Sequence, residues 1–329
     1  MAGMNTVNSD VLIRSEIWSE QLKQTLEDNL ESMKFVNWID FKDGTVLTIP
    51  SIGDLDAYDY VEDTAIEYTP MALGEFQFSV NQYKASATYI TTKARQDLHY
   101  AAQLEANFLP KEERAIMVSV ENHVLKQGQP GTPNGQTAGN PNRINGADHR
   151  WVGGDTTPNS VGTNVRTVGM KDFAKARYAL KKANVPDNNL IAMVDPSFEY
   201  YFNTQAGFLN VNYNPQYEGI ISKGVASGMR FLANIYGFDV YMSNYLPTIA
   251  ASETINTVAS GTNSVANLFF SADSSIKPWI GAWRQMPKVD GEYNKDFQRE
   301  EYVTTARYDA ALYRPENFIT VLSQTDIVV

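Results

Sequence analysis

Residues 235–247 read IYGFDVYMSNYLP, and this stretch is the most specific local pattern of the chain. Its segment 238–242 alternates apolar and polar residues, which predicts a strand. Residues 244–247 end in proline and predict the turn that follows this strand. Upstream, the apolar run 190–194 is closed by Asp195-Pro196, which predicts a buried strand. Helical segments precede both strands, so this part of the chain predicts an α+β fold.

The N-terminal segment predicts an acidic amphipathic helix over about residues 10–34. Asn8-Ser9-Asp10 is a helix start signal. Apolar residues then recur at roughly helical spacing, at Ile13, Ile17, Leu22, Leu26, Leu30 and Met33. A lone helix cannot bury such a stripe. We therefore expect Ile13, Ile17, Leu22 and Leu26 to pack at least partly across a subunit boundary.

Residues 45–83 predict a long acidic hairpin. Residues 45–50 read as a strand that ends at proline, and residues 75–80 alternate polar and apolar. The stretch 51–82 has no Lys or Arg and carries Asp54, Asp56, Asp59, Glu62, Asp63, Glu67 and Glu75. Clustered like charges repel unless a basic surface faces them. Candidate bases for a neighbouring subunit are Arg95, Lys111, Arg114 and Lys126.

Further segments are predicted along the remaining chain. A short helix covers 96–107, and Pro110 suits the first turn of a second helix that Gly128 stops. The Gly/Pro/Asn-rich tract 128–164 predicts a long irregular connection between the two halves. A helix covers 170–183. Residues 250–267 predict a loop, a strand restarts at 268–270, and closing strands cover 299–311 and 318–322.

Composition and motifs argue against several classes of function. The chain has 329 residues, 43% of them hydrophobic, so it can bury a sizeable core. It has no cysteine, and its net charge of −11 does not favour tight nucleic-acid binding through the average surface. No apolar run approaches the ~20 residues of a membrane span. No signal peptide is evident at residues 1–10.

No catalytic, cofactor or metal site is predicted. His99, His123 and His149 stand in no metal-ligand spacing, and His123 is expected to be a partly exposed helical residue. Nucleophile-elbow, Walker and dinucleotide-binding motifs are absent from the sequence. The acidic hairpin could mimic a glycosidase pair or a calcium site, but the EF-hand spacing is missing. A solvated or partner-facing surface is the simpler interpretation.

The order of these segments resembles that of the major capsid proteins of tailed bacteriophages, the HK97-like family. The resemblance is carried by residues 237–241 with Ser243-Asn244 and Leu246-Pro247, and by residues 306–309 with 314–316. It implies an α+β fold with an N-terminal arm at 1–44 and an extended β-hairpin loop at 45–83. It further implies a peripheral domain at 84–183 with a long spine helix at 110–127, an axial domain at 184–297, and a return to the peripheral domain at 298–329.

The resemblance also implies a function. The chain would be a non-enzymatic subunit that assembles in the host cytoplasm into hexamers and pentamers of an icosahedral virion capsid enclosing double-stranded DNA. Implied partners are other copies, a portal, a separate scaffolding protein, weakly contacted DNA and an optional decoration protein, with no cofactor and no membrane. Two alternatives remain open from the sequence. One is an encapsulin-type nanocompartment; the other is a tail or fibre β-protein that binds host carbohydrate.

Overall fold

The computed structural model describes residues 30–41, 44, 46–53, 57, 59–63, 65, 73–97, 101–129, 141–158, 164–204, 231–249, 254–255, 258–259 and 264–324. They form a mixed α+β fold. The helices are α1 (Thr92–Asp97), α2 (Ala101–Leu125), α3 (Met170–Lys182) and α4 (Ser197–Thr204). The strands are β1 (Val36–Asp40), β2 (Val46–Ile52), β3 (Leu73–Ser79), β4 (Gln82–Thr91), β5 (Arg143–Ile144), β6 (Ala147–Asp148), β7 (Arg150–Val152), β8 (Asp155–Pro158), β9 (Asn164–Thr167), β10 (Leu190–Val194), β11 (Phe231–Ile235), β12 (Phe238–Met242), β13 (Thr248–Ile249), β14 (Thr254–Ile255), β15 (Val258–Ala259), β16 (Ser264–Ser271), β17 (Trp279–Asn294), β18 (Arg299–Leu312) and β19 (Ile319–Gln324).

A four-stranded sheet has the strand order β1-β17-β18-β4. Successive side chains of a strand point to opposite faces, so different elements can pack on the two faces of the sheet. On one face, Ala306 and Tyr308 share a buried core with Ile116 and Val120 of α2. On the other face, residues of β17 and β18 pack under the hairpin of β2 and β3. The long helix and the hairpin therefore sandwich this sheet.

A second sheet has seven strands. Six follow the order β11-β12-β10-β16-β19-β7, and β13 pairs with β16 at the side. Strand β10 is buried throughout, parallel to β12 and antiparallel to β16, as the apolar run 190–194 predicts. Phe173 of α3 covers one face, with its ring centroid 5.0 Å from that of Phe269 and 6.0 Å from that of Phe238. The other face contributes Met193 and Leu268 to the core under α2.

The stretch 235–247 lies in this second sheet. Tyr236 and Gly237 form a two-residue turn between β11 and β12 with φ of 51° and 89°, the backbone region that favours glycine. The carbonyl of Tyr236 accepts a hydrogen bond from Nη1 of Arg177 at 3.1 Å. Phe238 and Val240 are fully buried. The predicted strand and its exit turn are confirmed.

Helix α2 corrects one prediction. Pro110 lies inside a single 25-residue helix rather than starting a new one. Pro110 is exposed, so the hydrogen bond that it removes faces solvent. Buried side chains one and more turns later hold the helix against the sheet. The helix is therefore about 37 Å long at 1.5 Å per residue, not the shorter spine over 110–127.

The end of this helical segment follows the prediction. A 3-10 turn, Lys126–Gly128, continues α2 and stops at the predicted glycine. A Cβ atom on Gly128 would lie 2.8 Å from Cδ2 of Leu268, so the close approach to β16 requires glycine.

Three local predictions are wrong in part. The tract 128–164 contains strands β5 to β8, and its residues Arg150–Val152 extend the seven-stranded sheet parallel to β19. Strand β2 runs through Pro50 to Ile52, because a two-stranded ribbon leaves one backbone edge free of partners. Strand β16 begins at Ser264, inside the predicted loop 250–267.

Asn267 explains why a polar segment is buried in β16. Its Nδ2 donates to Oγ of Ser323 at 2.8 Å and to the carbonyl of Val321 at 3.0 Å. Its Oδ1 accepts from the backbone N–H of Asp195 at 2.8 Å. The side chain is satisfied on both neighbouring segments, so its burial is not costly.

The predicted helix 10–34 lies mostly outside the described residues. Within them, residues 32–35 form a 3-10 turn rather than the last turn of an α-helix. The predicted short helix 96–107 is replaced by α1 and the first part of α2. The closing strands 299–311 and 318–322 are confirmed as β18 and β19.

The five-part division of the chain stays a prediction. At two places, strand pairing groups residues differently from the predicted division. Strand β17, which falls in the predicted axial segment 184–297, pairs with β1 and β18 in the four-stranded sheet. Strand β19, which falls in the predicted return 298–329, pairs with β16 in the seven-stranded sheet.

Candidate assembly surfaces

The β2–β3 hairpin is seated on its own subunit at its root. Leu47 pairs with Phe78 and Ile49 with Phe76, so one face of the ribbon is apolar. Phe76 and Phe78 pack with Ile280, Ala282 and Ala311 of the four-stranded sheet. This contact supplies the support that a two-stranded hairpin needs in water. The end of the hairpin beyond Ile52 carries the acidic loop.

Three acids of the predicted interface are placed by the structure. Asp59, Glu62 and Asp63 are exposed beside Tyr60 and Val61, whose side chains are 68% and 63% exposed. Among the described residues, none of the three carboxylates pairs with a basic side chain. Large apolar side chains next to unpaired charges are typical of a surface that meets a partner. The other predicted acids, Asp54, Asp56 and Glu67, lie outside the described residues.

The candidate bases lie on the helical side of the subunit. Arg95 of α1 pairs with the carboxylate of Glu300 in its own subunit. Lys111 and Arg114 are on α2, and exposed Lys126 follows its end. Within the part of the chain that the structure describes, no ion pair joins these bases to the acidic loop. Among the described residues, Asp59, Glu62 and Asp63 are therefore not paired with these bases in one subunit.

Buried hydrogen bonds to Glu121 anchor the chain at Glu31 and Ser32, directly after the N-terminal segment. Glu121 of α2 is fully buried, and its carboxylate accepts hydrogen bonds from the backbone N–H groups of Glu31 and Ser32 at 3.1–3.2 Å. The hydroxyl of Ser32 also donates to it at 2.6 Å. Burial raises the pKa of the Glu121 carboxyl, while the hydrogen bonds from Ser32 and Glu31 oppose this shift. The predicted arm residues Ile13, Ile17, Leu22 and Leu26 precede this anchor, outside the described residues.

A polar seam joins α2 to β18. Thr304 donates to the carboxylate of Glu112 at 2.8 Å, and Tyr308 donates to Oγ of Ser119 at 3.0 Å. His123 Nε2 lies 2.6 Å from Oδ1 of Asp309. His123 is buried, so the expectation of a partly exposed histidine is wrong. No local sequence pattern indicates this contact, because His123 and Asp309 are 186 positions apart.

The ribbon of β17 and β18 was predicted only in part, since the sequence predicted a strand over 299–311 and none over the residues of β17. It extends past the core, and Met286, Val289, Tyr293 and Phe297 are exposed along it. Pro287 and two glycines obscure the alternation of β17, and the pairing is irregular between Trp283 and Lys288. The sequence signal that could have found β17 is the largely polar stretch 295–298, which forms the turn between the two strands.

Metal-binding clusters and membrane-spanning helices are not found among the described residues. No group of three or more His, Asp or Glu side chains there could hold a metal ion. No helix in the described ranges is long and apolar enough to cross a membrane.

The chain is similar to known proteins in sequence and in fold. A family model described as phage capsid protein matches residues 125–321, more than half of the chain. No curated protein matches the sequence. Among solved structures, the fold is similar to that of Mycobacterium phage Che8, with 14% identity, a TM-score of 0.65, and coverage of 95% of this chain and 97% of that chain.

Two capsid structures also have similar folds. The capsid of cyanophage P-SCSP1u matches with 14% identity and a TM-score of 0.66, covering 97% of this chain and 94% of that one. The mature capsid of bacteriophage PhiM1 matches with 12% identity and a TM-score of 0.65, covering 99% and 95%.

The chain belongs to the phage capsid protein family. Its fold is the HK97-like fold of the major capsid proteins of tailed phages, as the order of segments predicts. It is a structural subunit of a multi-subunit capsid shell in the virion. The comparisons do not favour the encapsulin-type or the tail-fibre interpretation.

Proposed function

We propose that this subunit assembles into hexamers and pentamers of an icosahedral shell around double-stranded DNA, and that its acidic hairpin reaches a neighbouring copy. One observation carries the proposal. The root of the hairpin is seated on its own sheet, while Asp59, Glu62 and Asp63 at the far end are exposed without a basic partner among the described residues. Charge complementarity with a neighbour would set register more than raw affinity.

The neighbour's helical side offers the complementary charge. Arg95, Lys111, Arg114 and Lys126 remain our candidates for the surface that receives Asp54, Asp56, Asp59, Glu62, Asp63 and Glu67. Exposed ion pairs contribute only about 0–1 kcal/mol each. Many weak contacts suffice in a closed shell, because each subunit is held at several interfaces at once.

The N-terminal arm is proposed as a second contact between copies. Its apolar stripe at Ile13, Ile17, Leu22 and Leu26 would pack on another subunit. The anchor at Ser32 and Glu121 supports this, since it fixes the point from which the preceding residues depart.

The remaining partners are also proposals. Assembly would take place in the host cytoplasm, with a portal, a separate scaffolding protein and an optional decoration protein, and the net charge of −11 would keep contact with packaged DNA weak. The role would be structural throughout, without catalysis.

The direct test is electron microscopy of the purified, full-length protein. We expect closed icosahedral particles with rings of five and six subunits. Fibres, or subunits that stay monomeric over a wide range of concentration and in the presence of co-expressed phage proteins, would contradict the proposal.

A further inference from the structure

Strand β4 forms the outer edge of the four-stranded sheet. It runs for ten residues, Gln82–Thr91, and pairs with β18 on one side only. Within the described part of the chain, no strand pairs with its other side. A long free edge is a template for pairing with another chain, and proteins usually blunt such edges with charges or proline. This strand has no proline and a single charged residue, Lys84.

The register identifies which backbone groups point outward. The N–H of Thr92 donates to the carbonyl of Gln298 at 2.9 Å, and the pairing continues without a shift from there along β4. Hydrogen-bonded residues alternate in an antiparallel ladder. Even-numbered residues of β4 therefore face β18, and the backbone groups of Tyr83, Ala85, Ala87 and Tyr89 face the free edge.

The same four residues also occupy one face of the sheet. Thr304 and Tyr308 contact α2, and their register partners are Ser86 and Gln82, so the odd-numbered side chains of β4 lie on the face without α2. All four are exposed, with Tyr83 at 62% and Tyr89 at 57%. Along the outward edge, the two small residues Ala85 and Ala87 therefore lie between the large rings of Tyr83 and Tyr89.

We propose that β4 pairs with β4 of a second copy of this chain, antiparallel about a twofold axis at Ser86. This inference rests on the proposed function and names one further contact between copies. The pairing sets Tyr83 opposite Tyr89 of the second copy and Ala85 opposite Ala87. Every outward backbone group then meets an outward group of the partner, because odd positions face odd positions.

The side chains of β4 favour the register in which the two copies pair about Ser86. Tyrosine meets tyrosine at both ends, which is a favourable cross-strand pair, and the two alanines leave room between them. Lys84 falls opposite Thr88, so the only charge on the strand does not meet itself. At the outward positions 83, 85, 87 and 89 the residues read Tyr, Ala, Ala, Tyr in both directions, so each outward side chain meets its own kind across the isologous contact.

The twofold geometry also suits a shell. The axis relating two antiparallel edge strands is perpendicular to the sheet, so both copies keep α2 on the same side. A closed shell needs this property, since each subunit must present the same face outward. The contact would join the two four-stranded sheets into one of eight strands.

The natural absence of cysteine makes the pairing directly testable. In Ser86→Cys the two introduced thiols lie on the axis as a non-hydrogen-bonded pair, with Cα atoms about 4.5 Å apart, inside the range for a disulfide. The matched control is Thr88→Cys, because Thr88 is half-buried on the same face. Its thiols would lie about 14 Å apart along the strands at 3.4 Å per residue.

Each variant is concentrated under mild oxidation and run on a non-reducing denaturing gel. We expect a reducible dimer band for Ser86→Cys at least tenfold stronger than for Thr88→Cys. We expect Ala87→Pro, added to Ser86→Cys, to abolish the band while leaving the melting temperature near that of the parent, since it removes only an outward donor. Absence of the Ser86 dimer, or equal dimers from both cysteines, would overturn the pairing. Shell formation by reduced Ser86→Cys is scored separately by sedimentation and reports on the proposed function.

Discussion

The buried carboxylate of Asp309 joins His123 to the root of the extended hairpin. Its Oδ1 lies 2.6 Å from Nε2 of His123, and its Oδ2 accepts the backbone N–H of Asn81 at 3.0 Å. Asn81 lies between hairpin strand β3 and sheet strand β4. One side chain of β18 therefore ties the long helix α2 to the point where the hairpin leaves the sheet.

Removing the histidine should destabilise the subunit. We expect His123→Ala to lower the free energy of unfolding by about 2–4 kcal/mol, because it leaves a buried carboxylate short of a partner. The control is Lys288→Ala, which breaks the exposed Lys288–Asp290 pair and should cost less than about 1 kcal/mol. Denaturant unfolding of the soluble subunit measures both. Equal, small losses would show that the buried contact is not a major support.

The pH dependence of stability should involve Glu121. Burial raises the pKa of its carboxyl in the folded state, so the folded protein holds this proton more tightly than the unfolded chain. Its contribution is then complete below the unfolded pKa and is lost as pH rises through the folded pKa.

We therefore expect Glu121→Gln to flatten the fall in stability that the parent shows as pH rises above about 4.3, the pKa of an unperturbed Glu. Glu113→Gln is the control, because Glu113 is exposed on the same helix and should keep the parent profile. Thermal unfolding across pH measures the three proteins. Parallel profiles for parent and Glu121→Gln would contradict the assignment.

Two N-terminal truncations should separate assembly from folding. Deleting residues 1–29 keeps Ser32 on Glu121 and should leave a folded subunit that fails to form shells, because the apolar stripe is lost. Deleting residues 1–34 also removes the donors to Glu121 and should lower stability by about 1–3 kcal/mol. Sedimentation and thermal unfolding distinguish the two effects. Normal shells from the shorter deletion would refute a role of the arm in assembly.

Particles should not be covalently cross-linked. Some members of the family join their shells through a lysine on the extended loop, and this chain has no lysine from Ser51 to Tyr83. We expect boiling in detergent to release single chains of 36.8 kDa. A ladder of multimers on a denaturing gel would be incompatible with this expectation.

The sequence predicted those parts of the fold whose signals are local. The buried strand Leu190–Val194, the helix Met170–Lys182 and the hairpin follow from periodicity and turn residues within a few positions. The ribbon of β17 did not, because Pro287 and Gly291 interrupt its pattern and its stability comes from pairing with β18. Long-range packing also kept α2 continuous through Pro110.

The candidate assembly surfaces were likewise predictable from the sequence only where their signals are local. Exposure of Asp59, Glu62 and Asp63 could be expected from a run of acids without a base. The contacts of Glu121 with Ser32 and of His123 with Asp309 could not, since each joins residues about 90 or more positions apart. No local pattern marks such pairs, and both were found only from the folded chain.

Reversal of the charge on the hairpin loop tests whether that charge acts between copies of the subunit. The variant carries Asp56→Lys, Asp59→Lys and Glu62→Lys together; Asp63 is left unchanged because its φ of 65° would strain a lysine. A matched variant carries Asp56→Asn, Asp59→Asn and Glu62→Gln. The measurement is shell yield by sedimentation across ionic strength. We expect the lysine variant to lose assembly at low salt and to recover part of it as salt screens the repulsion, with the neutral variant between it and the parent. Parent-like yields from the lysine variant at both low and high salt would show that the charge of the hairpin loop has no role in assembly.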